Sequence, residues 1–342
     1  MLDLKTQEGR FNKEQLRVLF TNLLVQYSVK RSHAQILIDS MISADSTGVH
    51  THGLTVLPAY LDKIKKGGFN LTEDAIIQKE TDAFCVIDAN NQIGAVSADR
   101  CIKIAIEKAT KSGMYTVFCN NANTFGAASY YVRQATKQKM VAVCFSNSPS
   151  AMAPWGGKTK MLGTNPLAIG IPAKNKADII VDMATSIVAK SKINEIRKQG
   201  GTLPDGWALD PEGNPTNDPL EAIKGMVLPM AQHKGYAIAM AIDVLSGVLS
   251  GAGYLNNINR FYSQDNKCMN VGQCFTVINP QMVLDESFCD KIDDYIQQLH
   301  TSGKNVRYPG ETGAEKMEKS EKEGIDLSPE TVEALLKMLN EN

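Results

Sequence analysis

Between residues 83 and 147 the chain alternates between two apolar periods. "AFCVIDA" (83–89), "MYTVFCN" (114–120) and "MVAVCFSN" (140–147) are short apolar runs with the composition of strands. Between them stand "AVSADRCIKIAIEKATKSG" (95–113) and "AASYYVRQATKQK" (127–139), whose apolar positions recur at helical spacing. Strands that alternate with helices of this length build a sheet with helices on its faces, so the segment commits the chain to an α/β fold. "PLAIGIPA" (166–173) and "ADIIVDMA" (177–184), joined by the polar "KNK", read as a hairpin, and "QCFTVINP" (273–280) as a further strand.

Helical patterns flank this region. Leu16, Leu19, Phe20, Leu23 and Leu24 predict a helix over 12–30 with Asn12 as its cap. A second is expected from a Ser32 cap to about Ala44. A third carries Leu57, Tyr60, Leu61 and Ile64 and ends at Gly67 and Gly68. "SIVAKSKINEIRKQG" (186–200) reads as a helix. Residues 200–230 are rich in Gly, Pro, Asp and Asn and read as a long ordered loop or lid anchored by Trp207. The apolar stretch 235–254 is about one bilayer long. Asp243 in its middle and Lys234 before it argue instead for a central buried helix of a soluble protein. A helix is expected over 286–302, a solvated mixed-charge segment over 311–324, and a last helix with Ser328 as cap and Pro329 at its first position.

The 342 residues exceed what one core usually serves. A formal net charge of -1 gives no basic excess for nucleic acid, and no membrane partner is expected. Cys85, Cys119, Cys144 and Cys274 lie in apolar runs; with Cys101, Cys268 and Cys289 they form no C-x-x-C and read as small hydrophobes in a reducing compartment. The polar N-terminus has no signal-peptide core, so a cytoplasmic location is expected.

Two of the five histidines, His50 and His52, stand in "STGVHTHGLTVLPAY" (46–60), with Gly53 following at once. A metal clip, a proton-transfer site and simple packing compete as explanations. Zinc wants three or four ligands, and the sequence shows no further His or Cys cluster, so no metal is expected. Imidazole suits proton transfer because its unperturbed pKa lies near neutrality. No G-x-G-x-x-G between a strand and a helix and no Walker A motif occurs; "GAGYLN" at 251 fails at its last position.

Several stretches resemble the malate/L-lactate dehydrogenase family, which also contains ureidoglycolate, sulfolactate and diketogulonate dehydrogenases. They are "STGVHTHGL", "PSAMAPWGGKTKMLGTNPLAIGIPA", "DMATSIVAKSKI", "LPDGWALDPEGNPTNDP", "HKGYAIAMAIDVLSGVLSGAGY" and "YPGE", in family order from 45 to 311. The resemblance implies a non-Rossmann, sulfolactate/malate dehydrogenase-like α/β fold: a mixed β-sheet flanked by helices, with an N-terminal helical unit. It implies a helical domain over 1–72, an α/β domain from 73–120 plus 285–342, and a cofactor-binding domain over 121–284. It also implies a homodimer with the active site near the subunit interface, and NAD or NADP as cofactor.

By that resemblance His52 lines the pocket beside the nicotinamide and moves the proton, while His50 is structural. Ser148 resembles a substrate-pocket serine, and Thr124 can hydrogen-bond substrate. Thr164 and Asn165 resemble cofactor-loop residues, and Asp182, Met183 and Ala184 those that hold the adenosine half. Lys234 and Gly235 open a helix suited to phosphate, and Gly310 and Glu311 resemble the late nucleotide contact. Two positions depart from the family. Val56 stands where an arginine binds the substrate carboxylate, and Thr124 where a histidine takes part in catalysis. Arg133, Lys158, Lys160 and Arg260 are the candidate replacement cations. The leading expectation is a malate/oxaloacetate oxidoreductase. The alternatives are a nucleotide-binding protein with little catalysis and, weakest, a metallohydrolase built on His50 and His52.

Overall fold

The apolar spacing near the N-terminus folds into three helices in a computed structural model that describes residues 10–262 and 266–341, the side chain of Ser191 excepted. α1 (Lys13–Gln26) starts where the Asn12 side chain accepts hydrogen bonds from the backbone of Glu14 and Gln15. α2 (Arg31–Thr47) runs past Ala44 and stops at Gly48, whose φ of 83° is left-handed. Its start has no side-chain cap, so Ser32 lies inside the helix. α3 is Leu57–Lys65. Leu16, Phe20, Leu37, Ile38, Leu57 and Leu61 form one core with Leu335 and Met338 of the last helix, α12 (Pro329–Asn340). A short pair, β1 (Arg10–Phe11) against β12 (Ile325–Asp326), closes the unit. The C-terminal helix thus packs into the N-terminal core.

The central sheet has the order β2-β3-β4-β11-β5-β6-β7. Its strands are β2 (Ile76–Glu80), β3 (Phe84–Asp88), β4 (Met114–Ala122), β5 (Val141–Ser146), β6 (Leu167–Ile171), β7 (Ile179–Met183) and β11 (Val271–Ile278). α4 (Gly94–Ser112) links the parallel strands β3 and β4, and α5 (Ser129–Thr136) precedes β5. β11 lies between β4 and β5, antiparallel to both, and makes the sheet mixed. The sheet thus joins strands from both 73–120 and 121–284, so those ranges share one body. β6 and β7 form the expected hairpin, with Ala168 opposite Asp182. The directions bring the carboxyl ends of β4, β5 and β7 and the amino ends of β6 and β11 to one end of the sheet.

Residues 200–230 are not a lid loop. They hold β8 (Ala208–Leu209), β9 (Pro215–Thr216), α7 (Pro219–Lys224) and β10 (Met226–Val227), and the strands pair in the order β10-β8-β9. With α6 (Lys190–Lys198) they enclose a small core of Met152, Leu162, Val188, Ile193, Leu203, Ala222 and Val227, against which Trp207 packs. The helix expected from 186 starts only at Lys190, because Ile187 donates to the Leu228 carbonyl and Ser186 pairs with Pro229.

The stretch expected to be a buried helix is a surface element. α8 (His233–Ile242) continues as a wider π-helical segment, Asp243–Val248. It crosses the sheet end strand by strand. Asn165 donates to the Ala239 carbonyl at 2.8 Å, Asn147 to Asp243 Oδ1 at 3.0 Å, and Asn120 to the Ser250 carbonyl at 2.7 Å. Its outer side carries Ile238, Met240, Val244, Leu245, Val248 and Leu249, the last 58% exposed. The remaining helices are α9 (Pro280–Val283), α10 (Phe288–Thr301) and α11 (Glu311–Glu323). The mixed-charge segment 311–324 is thus helical, with pairs such as Lys322 to Glu318 one turn apart. Among the described residues no helix is long and apolar enough to cross a membrane, and the seven cysteines are free.

Candidate active site

The two histidines are distinguished by one buried aspartate. Asp45, in the last turn of α2, has a side chain only 2% exposed. Its Oδ1 lies 3.0 Å from His50 Nδ1, and its Oδ2 accepts the Leu54 backbone N–H at 2.8 Å. Burial pushes the Asp45 carboxyl up, against the pull of these two hydrogen bonds. His50 is pushed up in turn, chiefly by its bond to Asp45. Its ring is therefore a strut of the loop, consistent with the structural role expected of it.

His52 ends a single 3₁₀ turn, His50–His52, and its side chain is not held by Asp45. The residue is solvent-accessible, yet protein crowds its ring enough to lower its pKa by desolvation. The Asp182 carboxylate acts on it in the opposite sense. The loop after α2 thus lies near enough to the end of β7 for the Asp182 charge to act on the ring. Asp182 Oδ2 accepts the Ser129 backbone N–H at 2.9 Å, at the first residue of α5. One turn along α5, the Arg133 guanidinium is held below its ordinary pKa by burial, with Asp178 and Asp182 opposing, and its Nε has no hydrogen-bond partner.

Most of the other expected site residues fall on the same end of the sheet, in different roles, whereas Gly310 and Glu311 lie beside the start of β7. Thr124 follows β4, where its carbonyl accepts from the Tyr60 hydroxyl at 3.3 Å and its N–H meets Met269 Sδ at 3.4 Å. Ser148 follows β5 and donates its N–H to Asn165 Oδ1 at 3.0 Å. Asn165 is fully buried, and its amide is engaged with Ser148 and Ala239. The Thr164 carbonyl accepts from Thr185. Met183 is 37% exposed and Ala184 half-buried.

Lys234 is exposed in the first turn of α8. Gly235 is buried, and a Cβ there would lie 2.1 Å from the Met230 carbonyl. Just before it, Ala231 (φ 46°) and Gln232 (φ 60°) hold the left-handed conformation without being glycine. Such strain persists where the surroundings enforce it, and it gathers at functional sites. Gly310 (φ 99°) lies against the open edge of β7: Ile180 donates to the Pro309 carbonyl, and a Cβ on Gly310 would meet Ile180 N at 2.6 Å. Glu311 Oε1 is 3.5 Å from His300 Nε2, while its buried Oε2 has no hydrogen-bond partner. Val56 packs against the N-terminal core. Among the described residues no cluster of His, Cys, Asp or Glu could hold a metal ion.

Asp45 was missed by sequence reasoning, although an acid at the end of a predicted helix just before His50 was a usable signal.

The family described as malate/L-lactate dehydrogenase matches residues 11–336. The malate/(S)-sulfolactate dehydrogenase of Methanothermus fervidus is 36% identical over 329 residues, 96% of either chain. The NAD(+) ureidoglycolate dehydrogenase of Escherichia coli K12 is 32% identical over 96% of this chain and 95% of its own. The crystal structure of malate dehydrogenase from Entamoeba histolytica superposes with a TM-score of 0.91 at 31% identity, covering 98% of each chain.

Proposed function

The chain belongs to the malate/L-lactate dehydrogenase family and is a 2-hydroxyacid dehydrogenase, and from that premise we propose that it interconverts malate and oxaloacetate with NAD or NADP. The observation that carries this reading is a crowded, solvent-accessible His52 ring on which the Asp182 carboxylate at the end of β7 acts. A nicotinamide bound there would supply the hydride acceptor. His52 takes the hydroxyl proton at its ring nitrogen, and the crowding that lowers its pKa keeps the ring neutral and ready to accept. Asp182 spends one oxygen on the α5 terminus and leaves the other for ribose hydroxyls. Its nearness to His52 favours the ribose beside the reacting ring over the adenosine half. Lys234 and the first amides of α8 suit a phosphate.

The Glu311 Oε2 beside Gly310, which has Arg307 Nη1 at 3.9 Å but no hydrogen bond, is an acceptor that a ligand hydroxyl would satisfy. Asn165 serves by holding Ser148 and α8 in place, and Ser148 and Thr124 offer hydroxyls to the substrate. The test is loss of NADH or NADPH absorbance with a panel of 2-oxo acids, oxaloacetate first. Turnover with oxaloacetate is expected, and a folded protein that oxidises neither NADH nor NADPH with any of them would remove the proposal. Val56, half-buried against the apolar core, supports the second reading of a nucleotide-binding protein with weak catalysis. Tight NADH binding without turnover would favour it.

We also propose that a second copy of the chain covers the outer side of α8. A contiguous apolar face of this kind is unusual on a monomer, and it continues from the helix that presents Lys234. In sedimentation the protein is expected to run as a dimer. Leu245→Glu with Val248→Glu should yield a monomer with much reduced activity; an unchanged mass would overturn this interface.

A further inference from the structure

Three cations from distant stretches of the chain come near one another where the β8–β10 unit joins the sheet end. Lys160 lies two residues after Lys158 in the loop that follows β5, Lys190 opens α6, and Arg260 follows the turn after α8. Hydrogen bonds draw these stretches together. The Ser150 hydroxyl is 3.0 Å from the Met161 carbonyl, 3.2 Å from the Leu255 carbonyl and 2.7 Å from Asn256 Oδ1. Lys160 Nζ donates to the Lys224 carbonyl at 2.7 Å, and Ile187 to that of Leu228.

Among the described residues the three charges have no counterion. Lys160 and Lys190 are half-buried. Both are held below the ordinary lysine pKa by burial first. Arg260 then acts on Lys160, and Lys160 and Arg260 act on Lys190; no carboxylate opposes them. Among the described residues none of the three forms an ion pair, although Lys174, Lys192, Lys224 and Arg307 each have one. The sequence has 37 acidic against 36 basic residues, so counterions are not scarce. Bringing like charges together out of water is unfavourable unless an anion joins them.

We propose that Lys160, Lys190 and Arg260 form an oxyanion site beside Ser148 and Ser150. Resting on the dehydrogenase reading above, the site takes an acid group of the 2-oxo acid and supplies the cation that Val56 does not. A phosphate of the dinucleotide has the same chemistry, and the experiment separates the two sources.

The decisive measurement is calorimetric titration of the full-length protein with inorganic sulfate, compared with Lys190→Met/Arg260→Met. The substitution keeps an apolar stem and removes both charges. Sulfate affinity is expected to fall by roughly 10–100-fold, the scale of charge-assisted contacts. If the anion is the substrate's, the KM for oxaloacetate rises by a similar factor and the Kd for NADH is unchanged. If it is the cofactor's phosphate, the Kd for NADH rises instead. Sulfate binding that is absent from the native protein, or that survives the substitution, overturns the site. Should the double variant not fold, Lys160→Met gives the same readout. Since the titration needs no turnover, a protein inactive on every 2-oxo acid but binding sulfate through these residues would sink the proposed reaction and leave the site standing.

Discussion

Replacing His52 with asparagine is expected to lower kcat/KM for oxidation of the hydroxy acid by roughly 10²–10⁴-fold, the range of a positioned general base. The Kd for NADH should hardly move. Asparagine keeps a polar side chain of similar reach but cannot take the proton. The native ring is reachable by solvent and outside Asp45's grip, so the change removes a proton acceptor and little packing. The pH profile gives an independent sign. Desolvation holds the folded pKa below the ordinary value of about 6.5, with Asp182 only partly opposing. Oxidation needs the neutral ring. Its kcat/KM should therefore rise with pH through that depressed pKa and be level by neutrality, while reduction, which needs the imidazolium, falls through the same point. In His52→Asn the inflection should vanish. A native inflection above neutrality, or one that persists in the variant, would assign proton transfer to another group.

What the sequence revealed here followed from local physics. The strands over 84–88, 114–122 and 141–146 carry β-period apolar runs that any core would bury. Asn12 and Ser328 cap helices because a short acceptor side chain reaches the free amides of the first turn. Non-local features were illegible. β11 reads as a strand, but nothing in "QCFTVINP" says that it inserts between β4 and β5. β2 has every residue exposed, so it has no buried face to betray it. α8 is apolar on both sides, and periodicity cannot tell a side covered by the same chain from one left for another. The His50–Gly53 motif was visible, whereas Lys160, Lys190 and Arg260 come near one another only through the tertiary fold.

Gly53→Ala should damage both stability and turnover. The backbone there is ordinary, φ −84° and ψ −159°, so glycine is not needed for its conformational freedom. It is needed for space. A Cβ would lie 2.0–2.3 Å from the three carboxyl atoms of Asp45. Asp45 has nowhere to retreat: it is buried and holds both His50 and the Leu54 N–H. If the carboxylate moves, that N–H loses its acceptor, at a cost of about 1–3 kcal/mol. If the loop moves instead, His52 moves with it, and a displacement of about 1 Å at a reacting group can cost about 100-fold in rate. The expected result is therefore a lower urea midpoint together with a kcat/KM at least about 100-fold down for the folded enzyme. Asp45→Asn should be milder, because it keeps the shape and one oxygen for Leu54. Native activity in Gly53→Ala would show that the Asp45 contact does not set the loop. Lost stability with unchanged kcat/KM would show that it sets the loop without placing His52.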